Sequence, residues 1–294
     1  MYKPDWHIHT YYSTDSKEDP EKAVLKAIET GLSSICFTDH MDLDFPEDIK
    51  KAVIEEIGEE SVSLHKKVNG LSEDTELPVF SFDIDRYMSE LNGLKKKYSG
   101  KIDILMGIEF GLQPGNSKIF DEYRYMKRHY GFDHVLGSLH LVSGRDPFFK
   151  ESWGDGDGDR FIDTYFNELA ECVEEFEDFT SLAHIDYAAR YLPELSGMST
   201  EEINAFSDSL YEKHKEPIDK VLKTIIKRKQ ALEINVAPLR RTYAHPHPSK
   251  GILNRYFELG GERITFGSDA HRAENVGCIP SDMYERYQKY VLKL

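Results

Sequence analysis

The sequence contains few cysteines and no long hydrophobic segment. Its three cysteines, Cys36, Cys172 and Cys278, are far apart and form no CxxC pair. This argues against a disulfide framework and against a thiolate zinc site. No segment approaches the roughly 20 apolar residues of a transmembrane helix, and the N-terminus does not look like a secretory signal. We therefore expect a soluble, cytoplasmic protein without a membrane partner.

Positive charge is also scarce. The chain has 37 lysines and arginines against 53 aspartates and glutamates, which gives a net charge of −16. Tight nucleic-acid binding needs a basic surface, so we expect no nucleic-acid partner and favour a small-molecule ligand. With 39% hydrophobic residues, the chain can form a large core. Nothing in the pattern bears on the oligomeric state.

Short apolar runs alternate with helical patterns along the chain. The runs have the length and the β-branched or aromatic content of strands, and they cover residues 4–9, 33–38, 102–109, 134–140, 180–184, 231–235 and 263–268. Asp19 is the predicted N-cap of the first helix, with Pro20 at its first position and Gly31 just beyond its end. Further helices are predicted around residues 83–98, 117–130, 159–177, 200–229, 249–259 and 281–292.

This alternation predicts an α/β fold. Parallel strands need long crossover connections, and the helices provide them. Seven strand–helix units indicate a TIM-like barrel with one strand fewer than usual, built as one domain over residues 1–294. The polar, irregular stretch at about 50–82 looks like an insertion. An open, doubly wound sheet is the structural alternative.

Metal-ligand residue types stand at or near the ends of most predicted strands. These residues are His7, His9, His40, Glu109, His140, His184, Asp269 and His271. In barrels, groups at the C-terminal ends of strands converge on one face. His7 and His9 are two apart and so point to the same side of their strand, and Asp15 follows in a loop that can fold back over them. Nitrogen and oxygen ligands suit Zn, Mn or Fe, so we predict a metal site at this face.

The same positions carry a family resemblance. The motifs are His7–Ile8–His9–Thr10, Thr38–Asp39–His40, Gly107–Ile108–Glu109, Ser138–Leu139–His140, Ala183–His184–Ile185–Asp186 and Gly267–Ser268–Asp269–Ala270–His271. With them the sequence resembles the polymerase-and-histidinol-phosphatase (PHP) superfamily over nearly its whole length. Within the superfamily it is most similar to the monofunctional histidinol-phosphate phosphatases of histidine biosynthesis. The resemblance implies a distorted (β/α)7 barrel that holds three divalent metal ions.

It also implies how the ligands are shared among the three ions. One carboxylate, Glu109, would bridge the first ion to the second. The three implied sets are His7, His9, Glu109 and Asp269 for the first ion, Glu109, His140 and His184 for the second, and Asp15, His40 and His271 for the third.

The implied activity is hydrolysis of L-histidinol phosphate, a small phosphomonoester, by a hydroxide that bridges two metal ions. Glu109 and Asp269 would hold the reacting centre. Arg190 and Arg240 each follow a predicted strand end and are candidates for binding the phosphate, because guanidinium presents a bidentate fork. Asp42 is a candidate for protonating the leaving group, and His245 is a candidate substrate contact.

Three other functions fit parts of the pattern. A PHP phosphodiesterase or nuclease would use the same ligands, but the acidic balance disfavours it. A non-catalytic metal-binding protein would be expected to lose ligands, and none is missing. A metal-dependent hydrolase of C–N bonds would share the barrel, since fold does not fix function. Such enzymes commonly bridge their metals with a lysine, whereas Glu109 occupies the bridging position here.

Overall fold

Parallel strands form a barrel-like sheet in the computed structural model, which describes residues 1–154, 158–192, 196–241, 243 and 245–293. The described strands are β1 (Pro4–Ile8), β2 (Ser34–Phe37), β3 (His40–Met41), β4 (Asp103–Gly111), β5 (His134–Ser138), β6 (Ser181–Leu182), β7 (Ala231–Asn235) and β8 (Ile264–Gly267). Their order in the sheet is β1-β2-β4-β5-β6-β7-β8, and β3 pairs with β4. All these pairs are parallel.

The two ends of this sheet meet. Ile8 and Ala270 form a parallel bridge, and the backbone N–H of His9 donates to the carbonyl of Ala270 at 2.9 Å. The backbone N–H of Ser268 donates to the carboxylate of Asp5 at 2.8 Å. The predicted seven-stranded, TIM-like barrel is therefore confirmed, and the open sheet is wrong. The short strand β3 was not predicted, because two residues are too few to show a period.

Helices cover the outside of the barrel. Those described are α1 (Pro20–Glu29), α2 (Glu47–Val68), α3 (Ile84–Lys97), α4 (Ser117–Tyr130), α5 (Gly158–Glu175), α6 (Thr200–Lys213), α7 (Lys215–Lys227), α8 (Lys250–Glu258) and α9 (Ser281–Tyr287). As predicted, the Asp19 side chain caps α1 by accepting from the N–H of Glu21 at 2.8 Å. No helix in the described part of the chain combines the length and apolar character that crossing a bilayer requires.

Two segments differ from the sequence prediction. Most of the stretch expected to be irregular is helix α2, whose helical period is interrupted where Gly58 has φ 74°. Ile49 and Val53 of α2 nevertheless pack with Phe45 in a small apolar cluster of their own. The helix predicted over 200–229 is two helices, α6 and α7, which meet at His214. Pro217 explains the break, because proline is tolerated in the first turn of a helix but not in its interior.

The main core fills the space between the sheet and these helices. Because every strand runs in the same direction, all carboxyl ends open at one rim of the barrel. Helix α2 and the loops after the strands surround that rim. The fold therefore brings together at one rim the side chains that the sequence places at strand ends.

Candidate metal centre

Histidines and carboxylates crowd the carboxyl rim of the barrel. Eight of the nine predicted ligands fall into groups of three whose ligand atoms lie within 4.8 Å of one another. The groups are His9, His40 and His271; His7, Glu109 and His184; His7, His9 and Asp269; and His40, Glu109 and His140. The ninth, Asp15, joins through His271, whose Nε2 lies 3.1 Å from the Asp15 carboxylate. The structure thus brings all nine side chains together.

Glu109 lies at the middle of the cluster and is fully buried. Its Oε1 is 3.0 Å from Nε2 of His184 and 3.3 Å from Nε2 of His140. Its Oε2 is 3.0 Å from Nδ1 of His40 and 3.3 Å from Nε2 of His7. Each oxygen therefore faces a different pair of imidazoles. This is the arrangement that a carboxylate bridging two cations requires.

A second carboxylate, Asp269, closes the cluster on the other side. Its Oδ1 lies 3.4 Å from Nε2 of His9 and 3.8 Å from Nε2 of His7. Its backbone has φ 53°, which is unusual for a residue other than glycine. The His9 ring stacks against the rings of His40 and His271, at centroid distances of 4.3 and 4.1 Å. Strained backbone of this kind tends to occur where surrounding structure fixes a functional group.

Several imidazole nitrogens in the cluster have no hydrogen-bond partner among the described residues. They are Nε2 of His9, Nδ1 of His40, Nε2 of His140 and Nδ1 of His184, all buried. A buried polar atom without a partner costs about 1–3 kcal/mol. Nδ1 of His40 is 3.0 Å from Glu109, yet without hydrogen-bond geometry. Divalent cations held between these nitrogens and the carboxylates would satisfy them, so the donor set fits Zn, Mn or Fe.

The charges of the cluster depend on one another. Burial acts to raise the pKa of Glu109, but the charges of His7, His40 and His140 hold that pKa well below its usual range. Burial acts to lower the pKa of His271, but Asp15 raises it to about 9. The carboxylates therefore stabilise His7, His40, His140 and His271 as positive charges, a role that bound cations would take over from protons.

Two further carboxylates orient the ligand histidines. Nδ1 of His7 donates to Glu233 at 2.6 Å, and the backbone N–H of His184 donates to the same carboxylate at 2.8 Å. Nδ1 of His140 donates to Asp42 at 2.7 Å. Such bonds fix the ring and leave Nε2 free to bind a metal. Sequence reasoning assigned Glu233 no role, although an acidic residue inside a buried strand was a usable signal.

Two glycines make room for these carboxylates. A Cβ atom at Gly111 would lie 1.9 Å from Oδ1 of Asp42. A Cβ atom at Gly267 would lie 2.1 Å from Oε1 of Glu233. Neither position tolerates a side chain unless the carboxylate moves. Gly111 and Gly267 therefore leave room for two carboxylates that are distant in sequence, which the sequence alone does not show.

A third carboxylate, Asp39, organises the loop that follows β1. It accepts from the backbone N–H groups of Thr10 at 2.7 Å and Ser13 at 3.0 Å. The Ser13 hydroxyl donates to Asp39 at 2.8 Å and lies 3.0 Å from Nδ1 of His9. The sequence placed Asp39 only in the motif Thr38–Asp39–His40, without a role of its own. Its position shows that it holds the loop that carries Asp15.

A cavity of about 150 Å³ opens above the cluster. Its other walls are mostly aromatic and aliphatic, with acidic side chains among them: Phe45, Val53, Glu56, Ile57, Phe80, Asp146, Phe148, Phe149, Tyr187 and Tyr191. Helix α2 supplies Val53, Glu56 and Ile57. The segment predicted to be an irregular insertion is therefore one wall of the cavity.

Arg190 lines this cavity, as its predicted role requires. One terminal nitrogen lies 3.4 Å from Asp269, and the other donates to the Tyr191 hydroxyl at 2.9 Å. The guanidinium stacks over the ring of Tyr187 at 4.4 Å. Its Nε is buried and has no hydrogen-bond partner among the described residues. Arg190 thus lines the cavity and places its guanidinium next to the proposed metal ligand Asp269.

The other two predicted substrate residues lie differently. Arg240 donates to the backbone carbonyls of Ser268 and Asp269, so part of its guanidinium holds the chain after β8. It also borders a pocket shared with Arg190. His245 does not line the cluster cavity: it faces Asp208 at 4.0 Å, beside a separate small pocket.

The position of His245 has a physical cause. The backbone of His247 pairs with Asn235 at 2.8 and 2.9 Å, and its Nδ1 donates to Asp186 at 2.6 Å. These bonds bury His247 and turn His245 away from the cluster. Of the two neighbouring histidines, His247 is therefore the one that is built into the fold, in a structural pair with Asp186.

Comparison with known proteins connects this geometry to a family. A family model described as "PHP domain" matches residues 5–237. A protein of Clostridium acetobutylicum named "Probable histidinol-phosphatase" is 32% identical over 273 residues, covering 93% of this chain and 88% of the relative. The "Histidinol-phosphatase" of Lactococcus lactis is 28% identical, covering 93% of this chain and 86% of the relative.

The fold is also similar to a solved structure. It is the crystal structure of the histidinol phosphate phosphatase of Lactococcus lactis, which is complexed with zinc, L-histidinol and phosphate. The TM-score is 0.73 at 24% sequence identity, and the match covers 99% of this chain and 95% of the other. At this identity the likeness establishes the barrel fold.

Proposed function

This chain belongs to the PHP domain family, and from that premise we propose that it hydrolyses L-histidinol phosphate to L-histidinol and inorganic phosphate with the help of divalent metal ions. The relatives that it matches along most of its length are named histidinol-phosphatases. The observation that carries the proposal is the position of Glu109. Its Oε1 faces His140 and His184 of the second implied set, and its Oε2 faces His7 of the first set and His40 of the third, so Glu109 lies where the three sets meet.

We propose three ions, with the sharing of ligands that the family resemblance implies. Glu109 and Asp269 are the carboxylates of the deeper sites. Asp15 and His271, which are more exposed, complete the outer site with His40, whose Nε2 lies 3.7 Å from Asp15. Zinc is bound in the Lactococcus lactis structure. The nitrogen and oxygen donors here accept zinc as well as manganese or iron.

When bound, divalent ions would lower the pKa of a water molecule and neutralise charge on the phosphoryl group. The side chains of the chain add binding and orientation. Arg190 donates toward the phosphoryl oxygens and offsets the negative charge that grows during hydrolysis. Arg240 fixes the backbone of Asp269 and faces the same region. Asp42 orients His140 through Oδ1 and has a second oxygen with which it can meet the leaving group.

The test is phosphate release by purified protein loaded with zinc or manganese. The substrate panel should contain L-histidinol phosphate, phosphomonoesters with an uncharged organic part, nucleotides and a phosphodiester. We expect preference for L-histidinol phosphate and complete loss of activity on chelation. Activity confined to diesters or nucleotides would replace the proposal with a phosphodiesterase. No hydrolysis of any substrate would leave a metal-binding protein without catalytic function.

A further inference from the structure

The loop after β5 is built to hold one residue against the cavity. The backbones of Val142 and Arg145 bond to each other in both directions, at 2.8 and 2.9 Å. Between them Ser143 and Gly144 have φ 49° and 72°, as in the tight two-residue turn of a hairpin. Ser143 is further tied to Glu168 of α5 through its N–H at 2.9 Å and its hydroxyl at 2.6 Å.

Asp146 follows this turn and lines the cavity. It is only 7% exposed, and one carboxylate oxygen accepts from the N–H of Phe148 at 2.9 Å. Among the described residues no lysine, arginine or histidine forms an ion pair with it. Burial raises the pKa of its carboxyl to about 6. A buried carboxylate without a cation is costly, so its position calls for a partner.

The other buried acids around the cavity each face a histidine or an arginine. Asp42 accepts from His140, and Asp269 faces His9 and Arg190. Glu56, on α2, is exposed to solvent at the cavity mouth. Asp146 is therefore the buried acid at the cavity that forms no ion pair within the described part of the chain. The metal ligands and Arg190 account for the anionic end of a phosphate ester, which leaves its organic end for Asp146.

We propose that Asp146 determines specificity by accepting a charge-assisted hydrogen bond from a protonated nitrogen in the organic part of the substrate. The neighbouring side chains of Phe148 and Phe149 provide apolar contact for the rest of that group. The favoured substrate class is thus a phosphomonoester whose organic part carries a positive charge. This inference rests on the proposed function, because it assumes that a phosphate ester occupies the cavity.

The experiment compares Asp146→Asn with the unchanged protein, both loaded with the same metal, on two alkyl phosphates. L-histidinol phosphate, whose organic part carries a protonated amine, is the cationic ester, and n-butyl phosphate, whose organic part is uncharged, is the neutral ester. We expect the KM for the cationic ester to rise ~10- to 100-fold, the range of a charge-assisted hydrogen bond, while kcat stays nearly constant. Kinetics on the neutral ester should not change.

Glu151→Gln is the matched control, because it removes the same charge from an exposed residue of the same loop that does not line the cavity. It should leave both KM values unchanged. Metal content and melting temperature, measured for every variant, show whether Asp146→Asn disturbs the metal centre. An equal loss of kcat on both esters would overturn the proposal in favour of a proton donor or a structural role. Unchanged kinetics on both would also overturn it.

A binding measurement separates this proposal from the proposed function. If the unchanged protein hydrolyses neither ester, the proposed function fails, and calorimetric titration with L-histidinol still tests Asp146. Binding by the unchanged protein that weakens at least tenfold in Asp146→Asn would support the cation site. Equal binding by both proteins, or no binding by either, would contradict it.

Discussion

Two buried histidines at opposite ends of strand β5 have different surroundings. His134 begins β5 at the amino end of the barrel, and His140 follows the same strand at the carboxyl end. Neither ring nitrogen of His134 has a hydrogen-bond partner among the described residues, and burial lowers its pKa to about 3. For His140, the carboxylates of Asp42 and Glu109 outweigh burial and raise the pKa well above its usual value.

The difference extends to the two ends of the barrel. At the amino end, His134 lies 5.3 Å from the ring of Trp6, which packs with Cys36, Ala231 and Leu292 in an apolar cluster. At the carboxyl end, ring nitrogens of His9, His40, His140 and His184 are buried without a hydrogen-bond partner among the described residues. In barrels of this kind the amino end supports stability and the carboxyl end carries chemistry. Substitutions at the carboxyl end should therefore mainly change activity, and substitutions at the amino end should mainly change stability.

The largest effect is expected from Glu109→Gln at the carboxyl end. An amide cannot replace a carboxylate that bridges two cations, so metal content should fall and activity should drop more than ~100-fold, beyond the usual cost of losing a residue behind the ligands. Metal analysis and phosphate release measure both effects. Circular dichroism should show an unchanged fold. Full metal content together with full activity in Glu109→Gln would contradict a bridging role for Glu109.

The carboxylates behind the ligands should have an intermediate effect. Glu233→Gln and Asp42→Asn weaken the hydrogen bonds that orient His7 and His140, so metal affinity or activity should fall ~10- to 100-fold. Gly267→Ala should weaken metal binding at least as much as Glu233→Gln, since the new methyl group would displace Glu233 and would also lie 2.5 Å from the Cβ of His7, without changing any charge. Metal dissociation constants and kcat are the measurements.

Asp186→Asn is the matched control for these variants. It weakens a histidine–carboxylate pair of the same geometry, with His247 at 2.6 Å, outside the cluster. We expect it to lower the melting temperature without changing metal affinity. If Asp186→Asn weakened metal binding as much as Glu233→Gln, the effect would belong to general stability and not to the orientation of ligands.

A smaller effect, on stability alone, is expected at the amino end. The pKa of His134 is about 3 in the folded chain and about 6.5 when unfolded, so the unfolded chain binds the extra proton. The folded state therefore loses stability as the pH falls from 6.5 toward 3. His134→Leu removes this loss and should gain ~2 kcal/mol at pH 5 relative to pH 8. Denaturant unfolding at both pH values measures it.

The exposed His129 on α4 offers the control for this variant. His129→Gln should change the free energy of unfolding equally at both pH values. The kcat of His134→Leu should match that of the unchanged protein near pH 8. A pH-independent stability change in His134→Leu, or a large loss of kcat, would contradict the claim that the amino end affects stability and the carboxyl end affects activity.

The smallest effect is expected outside both ends. Asp219 of α7 accepts two bonds of 2.8 Å from Arg255 of α8 and one of 2.9 Å from Lys223. Arg255 holds the pKa of Asp219 below its usual value, so the stabilisation is complete above about pH 4 and disappears as the pH falls below that. Because solvent screens the pair, Asp219→Asn should cost at most ~1 kcal/mol at pH 7.

Thermal unfolding at pH 7 and pH 3 measures the Asp219 effect, and activity should not change. Glu258→Gln removes the single 3.2 Å contact of Arg255 with Glu258 and should cost less. An effect of Asp219→Asn as large as that of His134→Leu, or one that persists unchanged at pH 3, would contradict the screening argument.

The sequence predicted the strands, and it predicted the nine side chains that meet at one rim, because both follow from local patterns. His9, His140 and His184 stand directly after apolar runs, and parallel strands bring such positions to one rim whatever the details of packing. Helix α2 was missed because Gly58 interrupts its period. The sequence predicted an insertion at this position, but it did not predict that most of the insertion is helical.

The partners behind the ligands could not be read from local patterns. Glu233 meets His7 across the closure of the barrel, at a separation of 226 residues. The space that Gly267 leaves for Glu233 depends on the register of β7 with β8. His245 was expected at the site because it follows a strand end, yet the pair of His247 with Asp186 turns it away. These features depend on tertiary contacts that spacing does not encode.

The most direct test is metal stoichiometry measured together with activity. The protein is stripped by chelation and titrated with zinc or manganese, while bound metal and release of phosphate from L-histidinol phosphate are followed in the same samples. We predict cooperative recovery of activity as up to three ions bind per chain, and no recovery in Glu109→Gln. Full activity in the stripped protein, or activity independent of the metal bound, would contradict a metal centre at the carboxyl end of the barrel.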